Sequence, residues 1–178
     1  MRLATERLVL RDLVADDWRD LHAFEGDPEV VRYQEYTART EEDCRTYIAA
    51  LSEDAGTVPR ITRDLGITLP EEGRVVGRVG LHLIKPALRE AAVWYVLGRP
   101  VRGRGYATEA LRAMIGYGFG ELGLHRVYAD IDPRNEASRR VVARLGFRLE
   151  AHHLENVFLK SEWCDTEIHA LLRREWKG

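Results

Sequence analysis

Residues 99 to 111, RPVRGRGYATEAL, set Arg99, Arg102 and Arg104 around Gly103 and Gly105, directly ahead of a helical run. Basic side chains and flexible backbone at the mouth of a helix suit an anion. The first amides of a helix lack intrahelical partners, and the helix dipole favours negative charge there. Glycine at 103 and 105 lets the backbone approach closely and take positive φ. The competing reading is a turn whose arginines face water.

Two phosphate-binding patterns fit this stretch poorly. GRPVRGRG begins as a P-loop but places Arg104-Gly105 where Lys and Ser/Thr are needed, so the magnesium-binding hydroxyl is missing. GRGYAT is one glycine short of a dinucleotide fingerprint, although Asp130 and Asp132 end the next strand where a ribose-binding acid would sit. The turn also falls too far beyond Leu97, and too late in the chain for a doubly wound sheet. The third pattern, R-x-x-G-x-A, is met by Arg102, Gly105 and Ala107.

The elements that must position this turn follow a mixed order. RLVLRDL (7–13) alternates as a strand with Leu8 and Leu10 on one face, and a short helix follows until Gly26-Asp27-Pro28. Thr40, with Asp43 three residues on, opens a second helix. DLGITL and RVVGRVGLHLI are strands joined by a PEEG turn, and AAVWYVL (91–97) is a buried strand. After Gly105, apolar residues including Ala110, Leu111, Met114, Ile115 and Phe119 recur at helical spacing. HRVYADID reads as a strand, NEASRRVVARLGF as a helix closed by Gly146, and two strands complete the chain. Neither repeats nor long linkers interrupt residues 1–178, so one domain is expected.

Composition bounds the function classes. Apolar residues make up 45% and charged residues 31%, a globular balance. With 27 basic against 29 acidic residues the net charge is −2, without the basic excess typical of nucleic-acid binding. Cys44 and Cys164 belong to no metal-spaced motif, and a reduced, cytoplasmic chain is expected. No apolar run approaches the roughly 18 residues of a membrane span, and MRLATERLVLRDL lacks the apolar core of a signal peptide. Adjacent His152 and His153 should face opposite ways on a strand, and the remaining histidines lack metal-spaced partners, so no metal is expected.

GRGYATEAL, LGLHRVYADIDPRNEASRRVVARLGF and VFLKSEWCDTEIHALL, with ERLVLRDLVADDW ahead of them, resemble the GNAT superfamily of N-acetyltransferases. Within it they resemble the Rim-type ribosomal-protein N-terminal acetyltransferases, and the resemblance spans nearly the whole chain. It implies an α/β (α+β) domain with a mixed, mostly antiparallel sheet of six or seven strands, about four helices, and a splay where acetyl-CoA enters. It also implies direct transfer of an acetyl group to a primary amine, a protein N-terminus or a small molecule, through a tetrahedral intermediate. The chain would act as a monomer or homodimer. An acyl-CoA-binding sensor without robust turnover is the alternative class, and release of free coenzyme A thiol separates the two.

Carried onto this chain, the resemblance places the pyrophosphate on Arg102, Gly103, Arg104, Gly105, Tyr106 and Ala107, and the pantetheine arm along Val96 and Leu97. A backbone amide there would stabilise the oxyanion. Asn135 would contact the same arm, although after Asp132-Pro133 it is equally a helix cap. Many members place a tyrosine acid seven residues after that Asn; here the position is Val142, which leaves Ser138 as the hydroxyl for the departing thiolate. For the general base, Glu155 shares a strand face with Val157 if alternation is regular. Glu35 and Glu90 are further carboxylates, for each of which a solvated surface role competes, and a water chain would also serve. Trp94, Tyr95, Trp163 and Trp176 read first as core aromatics, with Tyr95 bordering the acetyl site.

Overall fold

The computed structural model describes residues 1–178. Eight strands form one sheet: β1 (Arg2–Ala4), β2 (Val9–Asp12), β3 (Thr62–Thr68), β4 (Val75–Lys85), β5 (Glu90–Leu97), β6 (Arg126–Ile131), β7 (Arg148–Leu159) and β8 (Glu162–Leu172). Their order is β1-β2-β3-β4-β5-β6-β8-β7, and every neighbouring pair is antiparallel except β5–β6. The strand beyond the expected six or seven is β1, which pairs Arg2, Leu3 and Ala4 with Arg11, Leu10 and Val9. Three residues are too few for alternation to register in sequence.

Four helices cover the sheet: α1 (Trp18–Glu25), α2 (Glu41–Ala55), α3 (Tyr106–Gly120) and α4 (Glu136–Arg144). The expected cap of α2 is present, with the Thr40 hydroxyl accepting from the Asp43 amide and the Asp43 carboxylate accepting from the Thr40 amide. Such a box contributes about 1 kcal/mol. Gly146, with φ of 86°, closes α4.

Alternation along β5 divides the core. Ala91, Val93 and Leu97 join the larger cluster under α3 and α4, with Leu111, Met114, Ile115 and Val142. Val96 joins a smaller cluster under α1 and α2, with Leu21, Phe24, Cys44 and Ile48. A Cβ on Gly118 would come within 3.0 Å of Leu81 and Leu124, so this glycine sets how closely α3 approaches the sheet.

The parallel β5–β6 pairing is short. Only Glu90–Ala92 pair, with Arg126–Tyr128, and beyond that point the strands part. The expected splay is therefore located: it opens between residues 93–97 of β5 and 129–131 of β6.

Candidate active site

A cleft of about 480 Å³ occupies the gap between β5 and β6. On the α4 side it is lined by Tyr95, Asn135, Ser138 and Val142, and on the α1–α2 side by Tyr36, Arg39, Tyr47, Arg78 and Trp94. Val157, Lys160 and Glu162 reach it from the β7–β8 hairpin. Of the candidate site residues singled out in sequence, the fold brings Glu35, Asn135 and Ser138 into this cleft, alongside Tyr95. Val96, Leu97 and residues 102–107 lie outside its lining, as does Glu155.

The basic turn forms an exposed ledge before α3. Gly103 and Gly105 take φ of 77° and 81°, the left-handed region, and Gly105 opens α3. The amides of residues 103–108 donate to no carbonyl or side chain; the first intrahelical bond runs from Glu109 to the Gly105 carbonyl. These free donors, with open space beside Gly103, fit a pyrophosphate. Arg102 Nε donates to the Leu97 carbonyl at 3.0 Å, and both Arg102 and Arg104 are exposed.

Arg7 holds this ledge in place, a role its sequence context did not reveal. It donates through Nη1 to the Arg104 carbonyl at 2.9 Å, pairs with Glu109 at 2.6 Å and lies 4.9 Å from the centre of the Tyr106 ring. Burial opposes the charge on Glu109, but bonds from Thr5 and from the Arg7 amide and guanidinium hold its carboxyl below the usual range.

The free edge of β5 follows from alternation. The Gly98 amide donates to the Val76 carbonyl, and the Val96 carbonyl faces Gly77, so 96 and 98 turn their backbone to β4. The amides of Tyr95 and Leu97 face the gap. Tyr95 and Leu97 thus carry the free backbone edge of β5, while Val96 packs into the smaller core cluster.

Asn135 caps α4, its Oδ1 accepting from the Ser138 amide at 3.1 Å. The Tyr95 hydroxyl donates to Ser138 Oγ at 3.0 Å. Ser138 therefore accepts one hydrogen and keeps its own to offer to the cleft. Burial pushes the Tyr95 phenol above its ordinary pKa, against the opposing effects of the Ser138 bond and Arg102. Tyr95 thus has a hydroxyl role that a core reading of the aromatic missed.

The carboxylates separate. In β7 the register shifts between His153 and Val157, and Glu155 sits in that irregular stretch with φ of 45° and an exposed side chain. The bulge breaks the two-residue alternation that would have placed Glu155 beside Val157. Glu90 pairs with Arg126 at 2.9 Å and Lys85 at 3.4 Å. Glu35 lines the cleft and is exposed.

The α1–α2 side contains a buried charge network. Arg78 donates to Glu25 and to Asp64, and all three are at most 2% exposed. The Glu25 Oε1 also accepts from Tyr36 at 2.8 Å, and its Oε2 from Arg39 Nε at 2.7 Å. Tyr47 donates to Asp64 at 2.5 Å. Burial raises the pKa of Asp64 and of both phenols, while Asp64 and Glu25 outweigh the opposing effect of burial on Arg78 and raise its pKa. The register brings two of these charges together: Asp64 opposes Gly80 and Arg78 opposes Gly66, a diagonal pair on one face. Charged residues inside apolar strands, Asp64 in TRDLGIT and Arg78 in RVVGRVGLHLI, were the available signal.

The family model described as "Acetyltransferase (GNAT) domain" matches residues 7–148. The chain is 30% identical over 177 residues to the uncharacterized N-acetyltransferase YnaD of Bacillus subtilis, covering 99% of each. It is 27% identical over 184 residues to the ribosomal protein uS5-alanine N-acetyltransferase of Escherichia coli, covering 99% of this chain and 93% of that one. Among solved structures, a GNAT-family acetyltransferase from Bacillus anthracis superposes with a TM-score of 0.88 at 28% identity, over 98% of this chain and all of that one. The fold and the splayed site define an N-acetyltransferase scaffold. The chain belongs to the GNAT acetyltransferase family.

Proposed function

We propose that this chain transfers the acetyl group of acetyl-CoA to a primary amine held on the α1–α2 side of the cleft. The reading is carried by one observation: the Tyr95–Ser138 hydrogen bond lies where β5 and β6 part, beside main-chain donors left free on β5. Acetyl-CoA supplies a thioester carbon open to attack and a thiolate leaving group. The amides of residues 103–107 bind its pyrophosphate, and Arg7 fixes the ledge that carries them. The Tyr95 and Leu97 amides receive the extended arm and offer a donor to the carbonyl oxygen as negative charge develops. Asn135 orients the first turn of α4 through the Ser138 amide.

Ser138 is the hydrogen-bond donor to the departing sulfur, with solvent completing the proton transfer. Tyr95 sustains that role by filling the acceptor side of Oγ, which turns the serine hydrogen away from the phenol and toward the cleft. Buried Val142 has no hydroxyl to offer. The amine must be uncharged to attack, and water at the cleft mouth receives its proton. The relative acting on an alanine of ribosomal protein uS5 supports an amine as acceptor.

Two measurements test the reading together. Acetyl-CoA should raise the thermal midpoint by binding the native state alone, and NAD should not. A panel of N-terminal peptides and small amines should release coenzyme A thiol from acetyl-CoA. A thermal shift without thiol release from any amine would instead identify an acyl-CoA-binding sensor.

A further inference from the structure

The cleft presents five cationic side chains, Arg32, Arg39, Arg78, Arg134 and Lys160. Three are engaged. Arg78 is held between Glu25 and Asp64, and Arg134 pairs with Asp132 at 2.6 Å and Glu162 at 3.0 Å. Lys160 donates to the Val31 and Arg32 carbonyls. Arg32 is exposed and no ion pair fixes it; its guanidinium lies 5.4 Å from the Tyr33 ring centre.

Arg39 differs from all of them. Its Nε is bound to Glu25 at 2.7 Å, and its guanidinium lies 4.3 Å and 4.1 Å from the ring centres of Tyr36 and Tyr47. The side chain is 16% exposed, and that exposure opens onto the cleft. Both terminal nitrogens lack a partner within the protein, so their N–H donors remain available. Glu25 divides its charge between Arg39 and Arg78, so Arg39 is only partly neutralised. A guanidinium fixed at one nitrogen, stacked on two rings and open at the other two is pre-organised for a planar anion.

Hydrogen bonds join the segments that line the cleft. Lys160, at the tip of the β7–β8 hairpin, binds the Val31 carbonyl at 2.5 Å and the Arg32 carbonyl at 3.0 Å, and Tyr33 donates to the Arg134 carbonyl at 3.4 Å. These bonds tie the hairpin and the loop after β6 to the segment between α1 and α2. Glu35 and Asp130, exposed carboxylates of the lining that stand outside the ion pairs, complement an ammonium group.

We infer that Arg39 forms a carboxylate subsite and that the acceptor is a small amine carrying a carboxylate, of the amino-acid class. This rests on the acetyl-transfer reading for the reaction, but the subsite stands on its own geometry.

The experiment compares L-amino acids with the corresponding L-amino acid amides, and with spermidine as an amine without a carboxylate. Thiol release from acetyl-CoA gives kcat and KM, and calorimetry in the presence of coenzyme A gives acceptor affinity. For at least one amino acid, the acid should exceed its amide in kcat/KM by about tenfold or more, as expected for loss of a charge-assisted bidentate contact. Arg39→Gln should raise KM for the acid by a similar factor and affect the amide far less. Arg39→Lys retains the charge and the contact with Glu25, and should fall between; it carries the comparison if the Gln variant does not fold. Amides or spermidine used as well as the best acid would overturn the subsite, as would Arg39 variants that weaken acid and amide equally. Acid-selective binding without thiol release would support the subsite and overturn acetyl transfer.

Discussion

The two sides of the cleft are built from different parts of the chain's chemistry. Toward α3 and α4, the groups turned outward are mostly main-chain: the free amides of residues 103–108, the open edge of β5, and a capped first turn of α4. Toward α1 and α2 they are side chains, with Arg78, Glu25, Asp64, Tyr36, Tyr47 and Arg39 locked into one network. Main-chain donors tolerate many side chains and depend on backbone conformation, which glycine controls. A buried ionic network depends on every member, because each unpaired charge in a low-dielectric interior is costly. The first side therefore suits a ligand common to a family, and the second can be tailored to a particular acceptor.

Five substitutions sharpen or break this contrast. The largest effect is expected from Arg78→Met, which leaves Asp64 in the core without a cation and Glu25 with Arg39 alone. Removing one partner from a buried pair costs about 3–5 kcal/mol, so urea denaturation should show a stability loss on that scale. A loss below about 1 kcal/mol, the value of a surface pair, would mean that the network is not a structural unit.

Gly105→Val tests the opposite side. A β-branched residue at φ of 81° is strained by about 1–3 kcal/mol, and relief of that strain would turn the 103–108 amides away from their common direction. The protein should remain folded by circular dichroism, with its acetyl-CoA-induced thermal shift abolished. Undiminished coenzyme binding in a folded Gly105→Val protein would remove the ledge from the site.

Ser138→Ala and Tyr95→Phe probe the point where the two sides meet. Serine replacement should lower kcat by roughly ten- to a hundredfold, the lower range of acid–base contributions, with acetyl-CoA affinity nearly unchanged. Tyr95→Phe should have a smaller effect of the same kind, and the double variant should be no slower than Ser138→Ala alone, because the phenol acts through the serine. Additive losses in single-turnover rate would assign Tyr95 an independent role, and wild-type rates in Ser138→Ala would assign the proton to water.

Asn135→Asp should produce the mildest change. Aspartate retains a competent cap, so stability should shift by only a few tenths of a kcal/mol. If the amide Nδ2 contacts the pantetheine arm, acetyl-CoA affinity should fall severalfold; equal affinity would leave Asn135 as a cap alone.

The sequence by itself determined every α-helix, seven of the eight strands and the basic glycine turn ahead of α3, because each is written in short-range terms. Helical spacing from Ala107 to Leu122, a Thr40–Asp43 box and glycines at 103 and 105 involve neighbours within a few residues. The resemblance added the mixed, mostly antiparallel sheet with its splay, and the expectation that Asn135 and Ser138 lie beside it. Only the tertiary structure decided what surrounds them. Tyr95 and Ser138 are 43 residues apart and meet because β5 and β6 part beyond Ala92. Arg78 meets Glu25 across 53 residues, and the β7 bulge removes Glu155 from the face that alternation assigned to it. Alternation along one strand specifies which way a residue points, but only the pairing of strands and the packing of helices specify what it points at. The α1–α2 side of the cleft is composed almost entirely of such long-range meetings, and so it was absent from the sequence reading.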